Sequence, residues 1–96
     1  MDLSKLVVEK RDEIRAIAKK HGAKNIRLFG SVSRKDHTPD SDIDFLVDTG
    51  ERTSSWFPAG LVIDLEEILG HRVEIVTEKG LSPLLRRRIL DEAMPI

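Results

Sequence analysis

Residues 30–47 read Gly30-Ser31-Val32-Ser33-Arg34-Lys35-Asp36-His37-Thr38-Pro39-Asp40-Ser41-Asp42-Ile43-Asp44-Phe45-Leu46-Val47. The Gly-Ser pair closes one apolar alternation, Asn25 to Gly30, and two aspartates open the next, Ser41 to Asp48. A polar loop containing Pro39 lies between them, from Lys35 to Asp40. Strand periodicity puts the carboxylates of Asp42 and Asp44 on one face. Ile43, Phe45 (with its neighbour Leu46) and Val47 supply an apolar opposite face. Two adjacent carboxylates repel, and each resists ionising unless positive charge lies between them. The plainer alternative is a polar strand end facing water. Asp is depleted in strands, however, and the apolar flanks favour a divalent cation. Carboxylate oxygens without cysteine or clustered histidine suit Mg²⁺ or Mn²⁺ rather than zinc.

Gly30-Ser31 is the matching half. Glycine lets backbone approach a ligand closely. The N–H groups of a helix start and the serine hydroxyl can donate to phosphate oxygens. Gly-Ser alone is common in turns, but composition predicts roughly 0.003 accidental matches to Gly-Ser-x10-Asp-x-Asp in a chain of this length. The pair is therefore read as a phosphate cradle facing a metal site. Arg34, three residues after Ser31, falls one helical turn along on the same side and is a candidate for gripping a triphosphate. Its alternative is a solvated surface arginine, which is the reading preferred for Lys35. Metal-assisted nucleotidyl transfer also needs a group to activate the attacking hydroxyl. Glu74, on a strand between Val73 and Ile75, is the best candidate for this third carboxylate; the alternative is an exposed strand glutamate. Glu66 and Glu67 are read as surface charge on a helix.

Outward from this centre the chain alternates helices and strands. Leu3, Leu6, Val7, Ile14, Ile17 and Ala18 form a helical stripe over Asp2 to His21, stopped by Gly22. A short helix follows Gly30. Pro58 to Leu69 reads as a helix ended by Gly70, and His71 to Thr77 as a strand. Ser82-Pro83 is an N-cap with proline at the first helical position. Leu84, Leu85, Ile89, Leu90 and Ala93 supply the stripe of this last helix, which Pro95 ends. The expected class is α/β (α+β): a small mixed sheet flanked by helices, in one domain spanning 1–96.

Composition narrows the function. The chain has 96 residues, 16 Lys+Arg against 17 Asp+Glu, and a net charge of -1, which argues against nucleic-acid binding by bulk charge. It has no cysteine, excluding disulfides, thiolate zinc sites and a thiol nucleophile. No apolar run approaches a membrane span and no signal-peptide pattern opens the chain, so a cytoplasmic protein is expected. So small a domain has little room to enclose a large acceptor, which points to a partner or an oligomer.

The run Gly30 to Asp36, with Ser41 to Val47, resembles the polymerase-beta-like nucleotidyltransferase superfamily. The shortness of the chain, Val73 to Thr77, Leu84-Leu85 and Ile89-Leu90 are similar to its minimal nucleotidyltransferases, the MNT proteins. The resemblance runs from about residue 8 to the end. It implies a Mg²⁺-ATP site and transfer of AMP to an acceptor hydroxyl with release of pyrophosphate. It further implies a type VII-like antitoxin that binds a HEPN ribonuclease toxin and adenylylates a tyrosine on it. A hetero-oligomer with that toxin, or a homodimer alone, is expected. Gly30 and Ser31 match the family's phosphate-binding positions, Arg34 a frequent basic position, and Asp42 and Asp44 the metal ligands. The third acidic position is most often Asp; Glu74 adds a methylene and moves the carboxylate by about one bond length. A degenerate binding-only antitoxin and an aminoglycoside-like small-molecule transferase are the alternatives. Trp56-Phe57 reads as core or helix start rather than a stacking platform. Arg86-Arg87-Arg88 reads as a solvated helix face, with docking onto an acidic partner as the alternative. His21, His37 and His71 do not cluster and are expected at the surface.

Overall fold

The structure, a computed structural model, describes residues 2–96. Helices α1 (Leu3–Glu9) and α2 (Arg11–Lys20) lead into strand β1 (Ala23–Phe29). The short helix α3 (Gly30–Arg34) and a loop follow, then β2 (Ile43–Thr49). Helix α4 (Ala59–Leu69), β3 (Val73–Thr77), a 3-10 turn (Glu78–Gly80), α5 (Pro83–Glu92) and β4 (Met94–Pro95) complete the chain. The sheet order is β3-β2-β1-β4. β1 is antiparallel to β2 and β4, and β2 is parallel to β3, giving the expected mixed sheet.

β2 is the buried centre: Ile43, Phe45, Leu46 and Val47 are all fully buried. On one face, Ile43, Phe45 and Val47 pack in a core with Leu3, Leu6, Val7, Ile14 and Ala18 of the first two helices and Leu61, Leu65 and Leu69 of α4. Alternation then sends Asp44 to the opposite face. The described helices include none long and apolar enough to cross a membrane.

Several elements differ from expectation. The first helix is two helices, broken at Lys10 (φ -99, ψ 7), with Asp12 and Glu13 in the first turn of α2. Acidic residues favour a fresh N-terminus there. α5 ends at Glu92, with Ala93 already extended, and Pro95 lies beyond it in a fourth strand, at the sheet edge where a missing N–H is tolerated. The α5 stripe finds little cover: no residue of the helix is buried, and Leu84 is 93% exposed. Phe57 packs against the core as expected, but Trp56 lies outside it. Glu66 is more than surface charge, because its Oε2 accepts the Val73 N–H at 2.9 Å and anchors the start of β3.

The histidines are also corrected. His21 is buried at the C-terminus of α2. Its Nε2 lies 2.7 Å from Asp64 Oδ2 and its Nδ1 2.6 Å from Ser54 Oγ. An ionised carboxylate only accepts, so Nε2–H donates to Asp64 and the hydroxyl pairs with Nδ1. The hydrogen bond from His21 holds the Asp64 carboxyl below its ordinary pKa, with help from Lys20. One ring thus ties α2, the 50–58 loop and α4. His37 is partly covered and its Nε2 accepts the Leu3 N–H at 3.3 Å. His71 is half-buried. His21→Ala should therefore lower stability by about 1–3 kcal/mol, as it leaves Ser54 and Asp64 without their partner. An unchanged urea midpoint would show that the ring is not a structural tie.

Candidate active site

The site forms where β1 ends, α3 begins and the two parallel strands present their acidic ends. Register sets Phe29 opposite Asp44 and Asp44 opposite Glu74, so Asp44 and Glu74 lie in one row across the sheet. Asp42 precedes the first residue of β2, not within it, and its Oδ1 lies 3.6 Å from Arg72 Nε. Gly30 has φ +79, a left-handed conformation that L side chains avoid. A Cβ there would collide with the Asp44 carboxylate. The glycine is thus required twice, by its backbone angle and by the acid against it.

The electrostatics follow from this crowding. The half-buried Asp44 carboxyl is pushed up to about 7, first by burial, then by its hydrogen bond with Glu74 and the charges of Glu74 and Asp42. Arg34 opposes the shift. Asp44 therefore holds its proton to higher pH than an ordinary aspartate and hydrogen-bonds Glu74. The donors are oxygens throughout, which suits Mg²⁺ or Mn²⁺. A positive ion beside Asp44 would relieve the same repulsion that raises its pKa. Among the described residues, however, no group of three His, Cys, Asp or Glu is arranged to hold a metal ion.

The other expected residues lie on α3, which begins at Gly30. Ser31 is the second residue of α3 and half-buried. Arg34 does not stand free: its Nε donates to Asp36 Oδ2 at 3.1 Å and its Nη1 to Glu92 Oε1 at 2.8 Å. These bonds, that to Asp36 first, raise the Arg34 pKa and keep it charged. Gly30 N–H is likewise taken by Glu92 Oε1 at 2.8 Å. The structure thus joins Gly30, Asp44 and Glu74, brings the Arg34 and Asp42 charges within influence of Asp44, and adds Glu92. Glu92 lies 62 residues from Gly30, too far for any spacing rule to find it. Arg86 pairs with Glu78 at 2.7 Å, while Arg87 and Arg88 are exposed, as read from the sequence.

Comparison with known proteins identifies the family. Residues 11–95 match the nucleotidyltransferase domain family. A Methanocaldococcus jannaschii protein described as a candidate protein adenylyltransferase is 41% identical over 88 residues, covering 92% of this chain and 95% of the relative. The protein adenylyltransferase MntA of Thermococcus cleftensis is 30% identical over 93 residues, covering 97% and 91%. A solved structure described as a minimal nucleotidyltransferase superposes with a TM-score of 0.87 at 42% identity, over 100% of this chain and 97% of that one. A toxin-antitoxin structure with AMP-PNP shares the fold at TM-score 0.74 and 22% identity, over 88% and 69%. With this row of carboxylates set against a Gly-Ser turn, the chain belongs to the nucleotidyltransferase domain family, among its minimal (MNT) members.

Proposed function

We propose that this nucleotidyltransferase is a Mg²⁺-dependent protein adenylyltransferase. It transfers AMP from ATP to a hydroxyl, a tyrosine, of a partner HEPN ribonuclease toxin and so acts as its antitoxin in the cytoplasm. The whole chain, 1–96, acts as one domain in a hetero-oligomer with that toxin. The carrying observation is the Asp44–Glu74 row pressed against Gly30, where no side chain is accommodated. Support comes from the adenylyltransferase relatives and the shared fold of toxin-antitoxin structures.

In this reading the toxin hydroxyl attacks the α-phosphorus of ATP. The new P–O bond forms as the bond to pyrophosphate breaks, and the hydroxyl proton passes to Glu74. The Gly30 turn brings the phosphates to the Ser31 hydroxyl, and Arg34 balances their charge. Asp42 and Asp44, with Glu74 beside them, would hold the ion, which when bound offsets phosphate charge. The toxin supplies the acceptor-binding surface that so small a domain lacks. A binding-only antitoxin is the second reading; it needs the same fold but not a competent acid row.

Two outcomes test this. With labelled ATP and Mg²⁺, label should pass to the HEPN protein. The double change Asp42→Asn and Asp44→Asn should slow transfer by about 100-fold or more. Toxin neutralisation that survives the double change, with no transfer by the unaltered chain, would instead establish the binding-only reading.

The second outcome concerns pH. The folded-state pKa of Asp44 is about 7, above the 3.8 of an ordinary Asp. Between these values the native state binds more protons than the unfolded one, so stability falls as pH rises through this window. Asp44→Asn removes that loss. In metal-free buffer at pH 8 it should stabilise the protein by about 1–2 kcal/mol after allowance for solvent screening, and not at pH 4. Urea unfolding at both pH values measures this, and equal effects would refute it.

A further inference from the structure

The end of α5 holds the nucleotide turn through a single side chain. Glu92 Oε1 accepts from Gly30 N–H and from Arg34 Nη1, both at 2.8 Å. Its Oε2 accepts from Arg34 Nη1 at 3.2 Å. Ser33 Oγ donates to the Glu92 backbone oxygen at 3.2 Å. The Glu92 side chain is only 17% exposed, while that of Arg34 is 41% exposed. One residue thus meets the first, fourth and fifth residues of α3.

We infer that Glu92 is a positioning residue for nucleotide binding: it fixes the Gly30 turn and aims the Arg34 guanidinium. The inference rests on the nucleotide reading of this site. The geometry of Arg34 carries it. A guanidinium has five donors in a rigid fork. Asp36 takes Nε and Glu92 takes Nη1, and among the described residues Nη2 has no protein hydrogen bond. The clamp therefore fixes two edges of the plane and leaves one for a phosphate oxygen. A side chain held in place before binding has less rotamer entropy to lose when the ligand arrives. The same carboxylate occupies the Gly30 N–H, so it also holds the backbone whose left-handed angle sets Gly30 against Asp44. Glu92 touches neither nucleotide nor reacting atoms in this arrangement.

The two functions of the carboxylate can be separated. Glu92→Gln keeps an oxygen for Gly30 N–H but loses the charge opposite Arg34. Glu92→Ala loses both. Affinity for AMP-PNP with Mg²⁺, measured by calorimetry on the full chain, should fall about tenfold in Glu92→Ala and less in Glu92→Gln. Amide exchange at Gly30 should quicken in Glu92→Ala and stay slow in Glu92→Gln. Far-ultraviolet circular dichroism should show both variants folded. If Glu92→Ala unfolds, the Glu92→Gln affinity and exchange decide alone. Nucleotide affinity equal to that of the unaltered chain in the folded variants would overturn the inference while leaving the nucleotide reading intact. An unaltered chain that does not bind AMP-PNP would overturn both.

Discussion

The register between β1 and β2 is the constraint on which the site depends. It sets Phe29, the last residue of β1, opposite Asp44. The chain must then turn at Gly30 directly against that aspartate. Parallel pairing with β3 brings Glu74 into the same row. A slip of one residue would turn Asp44 into the helix-covered core and Phe45 out of it. The burial of Ile43, Phe45 and Val47 therefore does more than stabilise: it fixes which face carries acid. The chemistry is held in register by hydrophobic packing on the other side of the same strand.

Overall neutrality conceals this arrangement. Charges balance across the chain, yet the row at Asp44 and Glu74 has an excess of acid, which together with burial pushes the Asp44 carboxyl up to about 7. The excess costs stability near neutral pH and creates an attraction for a cation. Around it, cations are largely engaged: Arg34 with Asp36 and Glu92, Arg72 with Asp42. A guanidinium already paired with two carboxylates attracts stray anions less than a free one would.

Local chemistry made much of this legible in the sequence. The alternation around Asp42-Ile43-Asp44 identified the central strand and its two faces. Ser82-Pro83 does cap α5, Ser82 Oγ accepting the Leu84 N–H at 3.3 Å. Gly70 does end α4 in a left-handed conformation. What escaped depends on distant partners. Nothing near Glu92 marks it as a companion of Gly30, and nothing near His21 announces Ser54 and Asp64. The two-residue β4 is too short to show periodicity and exists because β1 offers an edge. The α5 stripe misled because helical spacing shows which residues share a face, not whether another element covers it.

Trp56 has an optical meaning. It is the single tryptophan of a chain without tyrosine, and it is 86% exposed beside a core to which Phe57 belongs. Its indole is close to solvent before any denaturant is added, so its emission colour changes little on unfolding. The same exposure makes it responsive to whatever comes to rest on that loop. Intrinsic fluorescence in this protein is a poor thermometer of folding and a sensitive witness to encounters.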